Sequence, residues 1–309
     1  MIIELEGITK LYGAHKALDD LTLSVGPGAV GLLGPNGAGK STLIKALLGL
    51  VRLTAGRASV LGLDVRRRSR RIRELVGYMP EDDCAFAGIK GVQAVALAGE
   101  LGGLPARTAL RRAHEILDFV TLGEARYRET QTYSTGMRQK MKLAQALIHS
   151  PRLLFLDEPT SGLDPEGREK MLALVRSLAY RKGVGVVVST HILKDIERCC
   201  DAVVILGRGR LLVQDSLANL QRSVDPSCLV RVEGPLEPFL EALAPRCPRL
   251  ERVGEEEVRV WGGEAPPGPL LFETAARCGV ALRRVAPSRN TLEETFLAAV
   301  RETAGKGGG

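Results

Sequence analysis

Aromatic residues are scarce in this chain, at 4% of its 309 residues, with a single tryptophan. Proteins that bind single-stranded nucleic acid stack bases on aromatic rings, so the composition disfavours that class and we expect no nucleic-acid partner. The six cysteines contain no C-x-x-C pair and no metal-ligand spacing, which predicts reduced structural thiols. Within this set, the adjacent Cys199 and Cys200 are expected to be buried in helix packing, and a reactive pair of thiols is the alternative.

Long apolar runs are also missing. The longest notable uncharged stretch, residues 21–39, is broken by glycines and prolines and does not predict a membrane-spanning helix. Residues 1–4 lack the basic and apolar regions of a secretory signal, so a cytosolic protein is expected. The net charge is +7, with an arginine-rich run at 66–73. That run predicts a solvated loop and helix start; a surface for acidic lipid headgroups or an acidic partner is the alternative.

The chain does contain a phosphate-binding loop. Residues 34–41 match the pattern G-x-x-x-x-G-K-[ST] at every fixed position. The apolar run at 29–33 before it predicts a short buried strand, and the residues from Thr42 onward predict a helix. The residues expected to bind nucleotide in this segment are Gly34, Pro35, Asn36, Gly37, Ala38, Gly39, Lys40, Ser41 and Thr42.

The residue types of this loop explain its chemistry. Glycines let the backbone curl so that its N–H groups point at phosphate oxygens, and the helix N-terminus adds partial positive charge. Lys40 is expected to reach the outer phosphates, and the Ser41 hydroxyl to ligate Mg²⁺.

A second element supports nucleotide chemistry. Residues 152–158 form an apolar run that ends in two carboxylates, Asp157 and Glu158. Such a run suits a strand buried on both faces of a parallel sheet, and ligands of open α/β sheets bind where the strands end. We therefore expect Asp157 to hold Mg²⁺ through its water shell. Glu158 is expected to act on the attacking water, as general base or as orienter.

The order of patterns along the chain predicts two domains. Strand and helix patterns alternate from residue 152 onward, which predicts an α/β fold with a parallel sheet. A nucleotide-binding domain is expected at 1–222, with a helical insert at about 82–150. The remaining pattern, β-α-β-β-α-β followed by a helix at 291–300, predicts a small ferredoxin-like α+β domain at 223–302. Residues 303–309 are expected to be a disordered tail.

Three further motifs complete a family pattern. Residues 133–137, Tyr-Ser-Thr-Gly-Met, precede a predicted helix; residues 161–164, Ser-Gly-Leu-Asp, follow the paired carboxylates; and residues 189–191, Ser-Thr-His, end the next strand. With the phosphate loop, they resemble the signature, D-loop and switch histidine of ABC-transporter ATPases. The resemblance covers residues 1 to about 220. It implies a P-loop NTPase fold with a helical subdomain, and ATP hydrolysis.

The resemblance also implies roles for individual residues. Ser134 and Gly136 are expected to bind a phosphate of ATP held by the opposite subunit, so the site is completed in a head-to-tail homodimer or heterodimer. Asp164 is expected at the dimer contact. His191 is expected to contact the γ-phosphate and fix the attacking water, and Tyr12 to stack on adenine.

One position departs from the family. A glutamine usually follows the strand before the helical insert, whereas this chain has Glu81. A carboxylate is able to ligate Mg²⁺ or orient water, so Glu81 is expected to be a catalytic and metal-binding residue, in a site whose electrostatics its charge changes. The signature differs from the usual Leu-Ser-Gly-Gly-Gln but keeps the serine and the second glycine, which preserves the expected phosphate contact.

The C-terminal part is similar to extensions of ABC-2-type ATPases, which pair with separately encoded membrane permeases. Residues 287–297 carry the terminal motif, although a capped amphipathic helix explains that segment equally well. The resemblance implies an ATPase on the cytoplasmic face of the cell membrane that energises a separate permease, for export. The alternative is a soluble, non-transport ABC ATPase with a regulatory C-terminal domain. The single cassette and the lack of sustained heptads disfavour the translation and DNA-repair classes.

Overall fold

The computed structural model describes residues 1–82, 88–220, 227–254, 256–262 and 267–287. They belong to two compact units, the first of residues 1–217 and the second from Ala218 onward. The predicted terminal helix at 291–300, the predicted tail at 303–309 and Cys84 lie outside the described residues.

The first unit alternates strands and helices. Its strands β1 to β10 are Ile3–Tyr12, His15–Val25, Ala29–Leu33, Ala55–Val60, Leu63–Asp64, Val76–Met79, Leu153–Asp157, Gly185–Thr190, Ala202–Gly207 and Arg210–Ser216. Its helices α1 to α7 are Lys40–Leu47, Ser69–Leu75, Gly91–Leu101, Ala106–Phe119, Thr135–Leu147, Pro165–Lys182 and Leu193–Cys199, and α8, Leu217–Leu220, spans the division between the units. Two 3-10 turns, Gly123–Tyr127 and Thr130–Thr132, precede α5. None of the described helices is both long and apolar enough to cross a membrane.

A six-stranded sheet with the order β10-β9-β3-β8-β7-β6 carries the site. Its five strands from β9 to β6 are parallel, and β10 is antiparallel to β9. Every residue of β3, β7 and β8 is buried, as expected for parallel strands with packed elements on both faces. The predicted α/β fold is confirmed, and β10 is a strand that the sequence analysis did not identify.

The second sheet of this unit is antiparallel, with the order β2-β1-β4-β5. Its apolar face shares one core with α1 and one face of the parallel sheet. On the opposite face of the parallel sheet, α7 packs so closely that a Cβ on Gly31 would lie 2.3 Å from Ile196 Cδ1. Two side-chain contacts join β10 to β2: Arg210 Nε donates to Asp19 Oδ2 at 2.8 Å, and the Gln214 amide donates to the Ser24 carbonyl.

The predicted helical insert contains α3, α4 and α5. Helix α5 lies against β6, where a Cβ on Gly77 would lie 2.2 Å from the Ala146 carbonyl oxygen. Just after α5, the His149 ring nitrogen Nε2 is 3.1 Å from the Val76 carbonyl oxygen at the start of β6. The arginine-rich run leads into α2, as predicted. Cys199 and Cys200 are buried, also as predicted.

The second unit has the predicted element order β-α-β-β-α-β over its described residues. Its elements are β11 (Ser227–Glu233), α9 (Leu236–Leu243), β12 (Arg249–Arg252), β13 (Glu257–Trp261), α10 (Gly268–Cys278) and β14 (Ala281–Pro287). The strands form an antiparallel sheet with the order β12-β13-β11-β14. Alternate residues of β11 and β13 pack against α9 and α10 around Phe239, which gives this unit a core of its own.

We predict that the first unit folds without the second. The core of the parallel sheet and the core around Phe239 share no residue. A chain that ends at Gln221 should therefore unfold cooperatively and keep its affinity for nucleotide. We expect that affinity to stay within about twofold of the full chain, which is well below the tenfold change that about 1.4 kcal/mol of binding free energy produces. Thermal unfolding and nucleotide titration measure this. An insoluble truncated chain would contradict the division.

Candidate functional site

A cleft of about 330 Å³ opens near the C-terminal ends of β3, β6 and β7. Twelve residues line it: His15, Ala17, Asn36, Gly37, Ala38, Gly39, Lys40, Ser41, Thr42, Glu81, Asp157 and Glu158. The phosphate loop, the paired carboxylates and Glu81 are therefore brought together in one place.

The phosphate loop follows a path that its glycines permit. Gly39 has φ +98°, in the left-handed region, and a Cβ there would lie 2.5 Å from the Ala17 carbonyl oxygen. Helix α1 starts at Lys40, and the Leu43 N–H donates to the Gly39 carbonyl at 2.8 Å. The N–H groups of the first helical turn have no intrahelical acceptor. The start of α1 therefore presents backbone donors to the cleft, where an anion binds favourably.

Lys40 is buried, at 7% exposure. Its Nζ donates to the carbonyl oxygens of Gly34 at 2.7 Å and Pro35 at 3.2 Å, inside its own loop. Burial lowers the pKa of the Lys40 ammonium, while the charges of Glu158, Asp157 and Glu81 act to raise it. The loop thus holds a poorly hydrated cation between backbone carbonyls and three carboxylates.

Glu158 is fixed at three points. Its backbone lies in the left-handed region at φ +49°, and its N–H donates to the Ser189 carbonyl at 2.8 Å. Its Oε1 is 2.9 Å from His191 Nδ1, and its Oε2 accepts from the Thr190 hydroxyl at 3.1 Å. Strained backbone conformations of this kind cluster at functional sites. The carboxylate is therefore held in one orientation at the cleft, linked to the predicted switch histidine.

Asp157 is 2% exposed, and its Oδ1 has no hydrogen-bond partner among the described residues. The neighbouring Ser189, which faces it in the register of β7 and β8, has a buried hydroxyl in the same state. Buried polar atoms are rarely left unpaired. Asp157 lines the cleft, so its Oδ1 is available to water or a cation there. The described residues contain no group of three or more His, Cys, Asp or Glu that would enclose a metal ion by themselves.

The signature and D-loop segments lie together but do not line this cleft. Ser134 is the N-cap of α5 and Asp164 the N-cap of α6, where each side chain accepts from a backbone N–H. The Gln139 amide donates to the Ser161 carbonyl at 3.1 Å, which ties α5 to the D-loop. Gly136, in the first turn of α5, lies beside Leu163: a Cβ on it would be 3.7 Å from Leu163 Cδ2.

Tyr12 does not line the cleft. It is 47% exposed near the tip of the β1–β2 hairpin, with Lys10 Nζ 4.6 Å from its ring centroid. Its cross-strand partner His15 does line the cleft. His15 is not among the predicted site residues, although the short Gly-Ala turn between strand patterns is a signal that pairs it with Tyr12.

A buried carboxylate on α7 stabilises the segment that follows Glu158. Asp195 is 1% exposed; its Oδ2 accepts from the Thr160 hydroxyl at 2.5 Å and its Oδ1 from Arg168 Nε at 2.6 Å. These bonds join the segment after Glu158 to α6 and α7. Asp195 is not among the predicted site residues, because no local pattern distinguishes it from a solvated helical aspartate.

Comparison with known proteins places the chain in a family. A profile of the ABC transporter family matches residues 18–161. The chain is 33% identical over 307 residues to YxlF, an uncharacterized ABC transporter ATP-binding protein of Bacillus subtilis, covering 97% of this chain and 99% of the relative. It is 34% identical over 302 residues to the daunorubicin resistance ATP-binding protein DrrA2 of Streptomyces coeruleorubidus, covering 96% and 94%. The Nod factor export ATP-binding protein I of Cupriavidus metallidurans is 33% identical over 299 residues, covering 96% of each.

Solved structures agree with this assignment. An ATP-binding subunit of an ABC transporter aligns with TM-score 0.64 and 32% identity, covering 72% of this chain and 92% of that one. A dimeric bacterial ABC transporter cassette aligns with TM-score 0.64 and 25% identity, covering 70% and 98%. The chain belongs to the family of ABC transporter ATP-binding proteins. That membership confirms the predicted family, the cassette fold and the ATPase class; the roles of individual residues stay predictions.

We predict that Gly39→Ala weakens nucleotide binding far more than Gly37→Ala does. Both glycines have positive φ, but a Cβ at Gly37 meets nothing within 4 Å, whereas one at Gly39 would lie 2.5 Å from the Ala17 carbonyl oxygen. Relief of that overlap requires the loop to move. Titration with a fluorescent ATP analogue should show at least about tenfold weaker binding for Gly39→Ala than for Gly37→Ala, which is 1.4 kcal/mol. Equal losses would mean that backbone strain alone constrains the loop.

Proposed function

We propose that this chain is the ATP-hydrolysing subunit of an ABC-2-type exporter and works with a separate membrane permease. The observation that carries the catalytic part is the cleft that joins the buried Lys40 to Glu158, whose carboxylate is held by Thr190 and His191. Positive charge for phosphates and an oriented carboxylate then face the same space.

In this proposal the ATP phosphates occupy the cleft between the loop and the carboxylates. The N–H groups at the start of α1 and the Lys40 ammonium stabilise charge on the outer phosphate oxygens. Glu158 orients a water for attack on the γ-phosphorus and accepts its proton as the bond to the β-phosphate oxygen breaks. His191 binds Glu158 through Nδ1, which leaves its other ring nitrogen for a γ-phosphate oxygen. Tyr12 stacks on adenine from the exposed edge of the site, near the hairpin tip.

The donor set also suits Mg²⁺. Ser41, Asp157 and Glu81 line the cleft, and Asp157 contributes the unpaired buried Oδ1. These are oxygen ligands, and Mg²⁺ bound with a nucleotide keeps waters and phosphate oxygens as its other ligands. When bound, the ion neutralises charge on the phosphates. The residues present fit that use without a protein cage.

A head-to-tail dimer, of two copies or with a related chain, gives Ser134, Gly136 and Asp164 their place. They lie outside this cleft, beside one another at the starts of α5 and α6. The aligned cassette is itself a dimer. In the proposed dimer the α5 N-terminus of one subunit meets the ATP of the other, because a helix N-terminus favours phosphate.

Export through a permease rests on the relatives. DrrA2 carries the name of a daunorubicin resistance protein, and the Cupriavidus relative that of a Nod factor export protein; each is covered by this chain over nearly its full length. We infer that this chain is likewise the ATPase of an exporter, and that its permease holds it at the cytoplasmic face of the cell membrane.

The catalytic assignment predicts the behaviour of Glu158→Gln. The amide keeps the shape of the side chain but cannot accept a proton, so ATP should bind while turnover falls by about 10²-fold or more. Size exclusion with ATP and Mg²⁺ should then show a dimer that the wild-type chain forms only transiently. A variant that hydrolyses ATP at the wild-type rate would refute the assignment.

The transport assignment predicts a membrane partner. An open reading frame adjacent to this gene should encode a protein with several apolar segments of spanning length, and that protein should co-purify with this chain after co-expression in membranes. An unrelated membrane protein of similar size serves as the control. An active ATPase that binds neither protein would favour the soluble, non-transport alternative.

A further inference from the structure

The described residues include an unusual buried lysine on α5. Lys142 is 2% exposed, and its side chain is among the largest of those that are fully buried. A buried ammonium is costly unless hydrogen bonds compensate it. Its Nζ donates to the carbonyl oxygen of Glu81 at 2.8 Å and to that of Asp82 at 3.3 Å, so the backbone just after β6 stabilises this charge.

These two carbonyls belong to the segment that presents Glu81 to the nucleotide cleft. Glu81 lines the cleft beside Asp157 and Glu158, and its charge acts on Lys40. The segment lies between the end of β6 at Met79 and the helical insert, outside the sheet itself. We propose that Lys142 is a positioning residue: it holds the main chain at residues 81 and 82 so that the Glu81 carboxylate faces the reacting phosphate.

Helix α5 is itself anchored well enough to serve as that reference. It is pressed against β6 at Gly77, beside the Ala146 carbonyl, and His149 binds the Val76 carbonyl. On the same helix, Gln139 binds the Ser161 carbonyl, beyond Glu158 in the chain. One helix thereby fixes the segments after β6 and after β7, the two that bring carboxylates to the cleft.

The same helix begins at Ser134, so Lys142 also connects two parts of the proposed mechanism. In the proposed dimer the N-terminus of α5 meets the ATP of the opposite subunit, and Lys142 on the same helix holds the backbone of Glu81. The inference rests on the proposed role of Glu81 in the cleft. It adds that an acidic residue at this position works because a buried cation on the signature helix sets its place.

A double-mutant cycle on the full chain tests this. Lys142→Met should lower kcat for ATP by about tenfold, because small misplacements of catalytic groups are costly, and leave KM for ATP within about twofold. In a Glu81→Ala background the same substitution should change kcat less than about twofold, since its effect is exerted through the missing carboxylate. Lys140→Met is the matched control: Lys140 lies on the same helix and binds the Thr121 carbonyl and hydroxyl, away from the cleft. It should leave kcat unchanged.

The cycle distinguishes a positioning role for Lys142 from a purely structural one. Equal losses of kcat from Lys142→Met in both backgrounds would overturn the positioning role, because a lysine that only stabilises the fold acts regardless of Glu81. If Lys142→Met is too unstable to purify, Lys142→Gln, which keeps an N–H donor, enters the same cycle with the same two outcomes. A wild-type chain that hydrolyses no ATP would instead refute the proposed function.

Discussion

The site depends on the interactions of one buried cation, the Lys40 ammonium. Three carboxylates converge on the cleft, and their mutual repulsion is offset by this cation, which is itself held by the Gly34 and Pro35 carbonyls. The loop is able to curl tightly enough to hold this cation because residue 39 is a glycine. A Cβ at that position would lie 2.5 Å from the Ala17 carbonyl oxygen. The Lys40 ammonium is largely shielded from water. Its electrostatic interaction with a phosphate in the cleft is therefore stronger than it would be at the surface.

Contacts between neighbouring strands made much of the site predictable. Glu158 and His191 follow β7 and β8, which are adjacent parallel strands, so two motifs that are separate in the sequence meet in space. The sequence did not reveal contacts that depend on tertiary packing. Lys142 and Glu81 are separated by 61 residues, and Asp195 and Thr160 by 35, and no periodic pattern links either pair. Strand β10 was missed because its half-exposed residues lack the apolar continuity of its neighbours.

Two buried charges on helices hold the segments that follow the adjacent strands β6 and β7. Asp195 on α7 ties the segment after Glu158 to α6, and Lys142 on α5 ties the segment after β6 to the helical insert. A buried charge without its partners destabilises the fold by more than the paired charge stabilises it. Displacements that break the bonds of Asp195 or Lys142 are therefore unfavourable. Both segments nonetheless lie outside regular strands. Their positions are set by these side-chain bonds and not by strand pairing.

The contacts of β10 with β2 have a consequence for how the chain behaves in solution. A strand at the border of a sheet presents unpaired backbone groups that invite another chain to add a strand, a common route to aggregation. Here the Arg210 and Gln214 side chains bind Asp19 and Ser24 of β2 along one border of the parallel sheet. The opposite border is β6, a strand of four residues, too short to offer a long template. Neither border therefore offers a long row of unpaired backbone groups, which limits the addition of a strand from another copy of the chain.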